Sequence, residues 1–178
     1  MHLIDTNVMM AASAIRELST VAARAMPQEV HLREIVFDWL AQFDQSNSRL
    51  VLDDVGLIQE EYARNLPYNW QEQEYGLQVL QSKLDRSQVD FVPIDAIQAN
   101  GEHIAVLASR HEELVPDRED RKWVACALAT DVLHGATPPI VYGAESDWYM
   151  AEKELMGIGL QFIRLLPETW YQAKLAAQ

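Results

Sequence analysis

The chain has 178 residues, 49% of them hydrophobic and 23% charged, enough to bury one substantial core and too few to expect two. No run approaches the roughly 18 apolar residues that span a bilayer, and Met1-His2-Leu3-Ile4-Asp5 lacks the basic start and apolar stretch of a signal peptide, so one cytoplasmic domain over 1–178 is expected. The formal net charge of −13, with 27 Asp and Glu against 14 Lys and Arg, argues against a broadly basic nucleic-acid-binding surface and predicts solvated acidic faces or a basic partner.

In chain order, His2-Leu3-Ile4 reads as a first strand. Residues 13–45 are long and helical in pattern, with Ile35, Trp39, Leu40 and Phe43 marking a buried stripe. Arg49-Leu50-Val51-Leu52 is a second strand, and Asp53-Asp54 after it suits the cap of the next helix. That helix carries Leu57, Ile58, Tyr62 and Leu66 on one face. A further helical stretch over 68–86 is marked by Tyr75, Val79, Leu80 and Leu84, and Val89-Asp90-Phe91-Val92 follows as a strand. Ile104, Leu107 and Ala108 predict another helix; Trp123, Val124, Ala127 and Leu128 predict the one after it. Strands at Pro139-Ile140-Val141-Tyr142 and Gln161-Phe162-Ile163-Arg164-Leu165 complete the pattern. Strands alternating with helices predict an α/β sandwich around a mainly parallel sheet, because parallel strands need crossovers that are usually helical. Ligands of such sheets sit beyond the carboxyl ends of the strands, so residues just after each strand are the functional candidates.

Carboxylates recur at those places. Asp5 directly follows the first strand, and Thr6-Asn7 can orient it and cap a helix. At about 100° per residue, Glu61 falls roughly 60° from the centre of its helix's apolar face and Glu60 nearly opposite, so Glu61 points inward. An inward carboxylate needs a cation or hydrogen-bond donors to offset its desolvation. Asp120 shares the inward face of Trp123, Val124, Ala127 and Leu128, with Asp117 and Glu119 as poorer-spaced competitors. Asp147 follows the fourth strand at a helix start, and Glu145 two residues earlier supplies a fifth acid. A plain helix cap is the competing account of Asp5 and Asp120.

The remaining reactive residues point elsewhere. The single cysteine, Cys126, lies among Ala125, Ala127 and Leu128 and reads as a buried thiol. His2, His31, His103, His111 and His134 lack the spacing of zinc ligands. Trp70, Trp123, Trp148 and Trp170 sit in helical patterns that suit core packing.

Leu3-Ile4-Asp5-Thr6-Asn7 resembles the opening motif of PIN domains, and Asp120-Arg121-Lys122-Trp123-Val124-Ala125-Cys126-Ala127-Leu128 resembles their later acidic helix. Glu61 matches the glutamate of an early helix, and Glu145-Ser146-Asp147-Trp148-Tyr149 resembles the closing acid-x-Asp-aromatic motif, with Glu where Asp or Asn is commoner. The matched motifs span residues 3 to 150 in the family's order; helices in 13–45 and 68–86 are additional. The resemblance implies a three-layer α/β/α sandwich with a mainly parallel five-stranded sheet and a divalent-metal-dependent endoribonuclease. Asp5, Glu61, Asp120 and Asp147, with Glu145 less firmly, would be its Mg²⁺ or Mn²⁺ ligands and catalytic groups. RNA is the implied substrate, with DNA as the other candidate, and Arg121 and Lys122 are candidate substrate contacts. The family also suggests a toxin or defence role, with an antitoxin, another protein or a second copy as partner.

Two other classes compete. A catalytically silent PIN scaffold that binds a protein partner would suit the acidic balance and the added helices. A phosphoryl-transfer domain with an Asp nucleophile also places an acid after the first strand, but Asn7 stands where a haloacid-dehalogenase-like pattern wants Asp, and no acidic pair accompanies Asp5 as a receiver domain requires.

Overall fold

In the computed structural model, which describes residues 1–99 and 101–177, the chain is mixed α/β. Strand β1 (Leu3–Ile4) lies beside β6 (Ile140–Tyr142), which in turn pairs with β7 (Phe162–Arg164), both pairings parallel. Strand β2 (Leu50–Asp53) pairs in parallel with β3 (Val89–Val92). A single parallel bridge from His2 to Leu50 brings these two sheets edge to edge: the His2 N–H reaches Arg49 O at 2.9 Å and the Val51 N–H reaches His2 O at 2.9 Å. The expected parallel strands are therefore present within a residue of their predicted ends, but as sheets of three and two strands.

The central strands are apolar on both faces, as parallel strands covered by helices must be: Leu3, Ile4, Leu50, Val51, Leu52, Ile140, Val141 and Tyr142 are all inaccessible to solvent. Helix α1 (Thr6–Ser13) packs against α2 (Val30–Gln45) and α4 (Tyr75–Asp85) and touches β6. Helix α6 (Arg121–His134) crosses β1, β2 and β3 and meets α3 (Leu57–Asn65). Helices α7 (Ser146–Met156) and α8 (Glu168–Ala176) pack on each other.

Two predicted elements are corrected. Ile104 belongs to an antiparallel hairpin, β4 (Ala96–Ala99) with β5 (Glu102–Ala105), and Leu107 and Ala108 are extended chain before the one-turn α5 (Ser109–Glu112). The pairing Ile97 with Ile104 and the left-handed φ of 88° at Gly101 are hairpin features, and Asn100-Gly101 is a hairpin signal in the sequence; Asn100 itself lies outside the described residues. In α2 the buried stripe is Leu32, Val36, Leu40 and Phe43, while Ile35 faces solvent. The register shift has a cause in Arg33. Its buried guanidinium donates to the carbonyls of Pro27, Ala22 and Ala25 and turns that face of the helix onto the preceding loop.

That loop, between α1 and α2, is fastened at a second point. The carboxylate of Glu74, 2% exposed, accepts from Ser19 Oγ at 2.7 Å and from the N–H and hydroxyl of Thr20 at 2.7 and 2.8 Å. Residues 14–29 are thus irregular but held at Arg33 and Glu74, and only part of the added helical stretch over 13–45 is helix. No helix among the described residues is long and apolar enough to cross a membrane.

Candidate active site

The Asp5 N–H continues the β1 ladder to Val141 O at 2.9 Å, and the chain then turns into α1 with Asp5 as its N-cap. One carboxylate oxygen accepts the Asn7 N–H at 2.8 Å and the other the Trp148 indole N–H at 3.1 Å. The carbonyl just before it, Ile4 O, accepts the buried Tyr62 hydroxyl. Asp5 is 3% exposed and fixed from three sides. Burial, and then the charges of Glu145 and Glu61, raise its pKa to about 7 against the lowering effect of the two hydrogen bonds.

Glu145 caps α7, where sequence alone suggested Asp147 at the helix start. Its Oε1 accepts the Asp147 N–H at 3.3 Å and its Oε2 accepts the Asn7 side-chain amide at 2.8 Å. Burial holds its pKa up, with the neighbouring charges of Asp147 and Asp117 adding to the effect and the two hydrogen bonds opposing it. Asn7 therefore ties two acids together, one by its backbone and one by its side chain. Asp147 stands one step further out, exposed in the first turn of α7.

Asp120 precedes α6 but makes no side-chain cap bond, so the helix-cap account of it fails. It is partly buried, and burial followed by the charges of Asp5, Asp117 and Glu145 raises its pKa to about 8, with Lys122 opposing. Asp120, Asp117 and Asp147 line one groove of about 330 Å³ whose floor includes Trp148 and Val115.

Glu61 points inward and Glu60 outward, as expected from their angles on α3. Its charge, however, is met by protein groups. Oε2 forms an ion pair with Lys122 Nζ, and Oε1 accepts the Thr6 hydroxyl. Lys122 is 5% exposed and also donates to Glu119 O, which corrects the reading of this lysine as a solvated or substrate-facing cation. Arg121 is likewise engaged, at 2.9 Å from Glu112.

Acids from distant parts of the chain thus converge: the charges of Glu145 and Glu61 act on Asp5, and those of Asp5 and Glu145 act on Asp120, with Asp147 at the rim. As arranged, no group of three or more His, Cys, Asp or Glu among the described residues is disposed to hold a metal ion. Lys122, Thr6, Asn7 and Trp148 each offset part of the cluster's charge. Thr6 and Asn7 were legible as orienting residues; the Lys122 ammonium and the Trp148 indole were not. Helical spacing marked Trp148 as core, which its 2% exposure bears out, but did not say that its N–H faces a carboxylate.

Asp53 caps α3, both oxygens accepting backbone N–H groups, from Leu57 at 2.7 Å and Ile58 at 2.8 Å. Cys126 is a buried thiol whose pKa is pushed well up by burial. Trp70 departs from expectation: it is 78% exposed, on the loop before α4. Comparison of the chain with family models, curated proteins and solved structures gives no match.

Proposed function

We propose that the chain is a divalent-metal-dependent endonuclease of the PIN-domain kind, hydrolysing phosphodiesters with RNA as its first candidate substrate. The observation that carries this reading is the meeting of Asp5, Asp120 and Glu145, whose pKa values are all raised by burial and by neighbouring carboxylate charges. Sites that gather acids against their mutual repulsion are functional candidates, because a fold with no use for them has no reason to keep the penalty. The strand order β3-β2-β1-β6-β7, read through the His2 bridge as one parallel sheet, supports the layered architecture the motifs imply.

The donor set is oxygen only, which suits Mg²⁺ or Mn²⁺, and a dication would offset the burial and the neighbouring charges that raise these pKa values. Asp5, Asp120 and Glu145 would hold it, with Asp147 within reach of the same groove and Glu61 fixing the site's edge through Lys122. When bound, the ion supplies an activated water and neutralises charge on the phosphate. The chain's own contribution is to position the acids. Trp148 and the Asn7 N–H fix Asp5, the Asn7 amide fixes Glu145, and Tyr62 fixes the strand end beneath them.

The test is cleavage of labelled single-stranded RNA and DNA with Mg²⁺, with Mn²⁺ and with chelator, alongside Asp5→Asn. Cleavage that requires metal and disappears in the variant is expected. Undiminished metal-dependent cleavage by Asp5→Asn, in protein free of contaminating nuclease, removes Asp5 from the site.

One observation favours a second reading, a silent scaffold for a protein partner: Lys122 already supplies a counter-charge for Glu61. Mn²⁺ titration separates the two, since a working site binds the ion and a silent one does not.

A further inference from the structure

The groove of about 330 Å³ beside the carboxylates has two walls of similar make. On α7 it is lined by Asp147, Met150, Ala151 and Glu154, which are residues i, i+3, i+4 and i+7 of one helical face. An acid therefore stands at each end of a short apolar stripe, with about 10 Å of helix rise between the two. Met150, in the middle of that stripe, is 54% exposed. Opposite, Leu114, Val115 and Pro116 lead into Asp117 and Asp120.

These acids lack the partners that acids elsewhere have. Among the described residues no Lys, Arg or His lines the groove, and none of its four carboxylates belongs to an ion pair, whereas Asp44, Glu61, Glu72, Asp90 and Glu168 each have one. Lys122, whose charge bears on Asp120, is itself held by Glu61. An anion is repelled from such a groove, and a purely apolar ligand leaves its acids without counter-charge. A bare inorganic cation makes no use of the stripe. Cationic centres joined by methylenes satisfy both features, since an alkyl stem covers apolar surface while its ammonium heads stay with carboxylates and water. The separation of Asp147 from Glu154 calls for more than one such centre on a single stem.

We infer that this groove binds an aliphatic polyamine, its ammonium groups on Asp147, Glu154 and the Asp117–Asp120 wall and its methylenes along Met150 and Ala151. Asp120 and Asp147 are shared with the proposed divalent-ion site, so occupancy excludes the ion and holds the site idle. That exclusion rests on the nuclease reading; the binding does not.

The experiment is isothermal titration of spermidine into metal-free protein. It compares wild type, Asp117→Asn/Glu154→Gln, which leaves Asp120 and Asp147 in place, and Glu34→Gln/Asp38→Asn, which removes the same charge from exposed positions on α2, with thermal unfolding to establish that each is folded. Wild type should bind a single spermidine, the groove variant should bind it roughly fivefold more weakly, and the α2 variant should match wild type. Titration of Mn²⁺, followed by the electron paramagnetic resonance of the free ion, should show the ion bound several-fold more weakly when spermidine is saturating. Equal affinity in wild type and the groove variant overturns the inference, as does an equal loss in the α2 variant, or binding of tetralysine with none of spermidine, which would point to a basic protein partner. Mn²⁺ affinity unmoved by saturating spermidine overturns the exclusion of the ion. The two readings fail separately. Spermidine binding that depends on Asp117 and Glu154, in a protein that cleaves nothing in any metal, keeps the groove and sinks the nuclease; metal-dependent cleavage by a protein that binds no spermidine does the reverse.

Discussion

Asp120 is the acid with the least local compensation, since Asp5, Glu61 and Glu145 each accept at least one hydrogen bond while Asp120 does not even cap its helix. In metal-free protein its pKa of about 8 lies far above the roughly 3.9 of an unfolded aspartate. The folded state therefore holds a proton that the unfolded state has lost, and stability falls as pH rises through that window, with the whole penalty present above about 8. Asp120→Asn removes the charge and keeps the shape. It should raise the melting temperature at pH 8.5 by several degrees, on the order of 1–3 kcal/mol, change it little at pH 4, and abolish cleavage. Equal melting temperatures for the two proteins at pH 8.5 would show that the carboxylate carries no such penalty. Lys122 makes the opposite case. With its Nζ on Glu61 and only 5% of the residue exposed, Lys122→Met leaves a buried carboxylate unpaired and should cost about 3–5 kcal/mol. Adding Glu61→Gln should recover most of that loss in urea denaturation. A double variant no more stable than Lys122→Met would mean that the two side chains are not energetically coupled.

At the scale of elements, the close approach of α1 and α4 bears on where Asp5 sits, because Asp5 caps α1. Gly76 makes the approach possible. A Cβ there would lie 2.8 Å from Met9 Cβ and 2.9 Å from Met9 O, and the Gly76 N–H donates to Ser13 Oγ at 2.8 Å. Alanine is the better helix former by about 1 kcal/mol, yet the clash is with backbone and outweighs it. Gly76→Ala should lose roughly 1–3 kcal/mol of stability in urea denaturation, and a variant as stable as wild type would show that the helices have room to part. The strands that frame the site were legible because buried parallel strands are short apolar runs, and Leu50-Val51-Leu52 and Ile140-Val141-Tyr142 admit little else. The β4–β5 hairpin was hidden because its strands are short and its residues largely exposed, so Ile104, Leu107 and Ala108 could pass for a helical stripe. The carboxylates could be found from their places after strands, but which of them meets a proton donor depends on side chains from remote segments. Trp148 reaching Asp5 across 143 positions has no local signature.

At the scale of the whole molecule, the acidic balance and the site's protonation act together. Repulsion within a chain of net charge −13 already opposes folding at neutral pH, and burial together with neighbouring carboxylates, which raise the pKa values of Asp5 to about 7 and Asp120 to about 8, adds a concentrated penalty at the carboxylate cluster. In the absence of metal, Asp5 and Asp120 should make folding less favourable as pH climbs from about 4 to 8, because over that span the folded chain keeps protons on them that the unfolded chain has released, while His2, lowered to about 4 by burial, acts in the opposite sense below about 6.5. A divalent cation can bind only after those protons leave, so its stabilising effect should run the other way with pH. Saturating Mn²⁺ should raise the melting temperature by several degrees at pH 8 and by little at pH 5, and Asp120→Asn should lose most of the increment at pH 8. Thermal unfolding of both proteins at the two pH values, with Mn²⁺ and with chelator, measures all of this. An increment of the same size at pH 5 and pH 8, or one that survives in Asp120→Asn, would place the ion on the general acidic surface and away from the carboxylates that gather beside α1, α6 and α7.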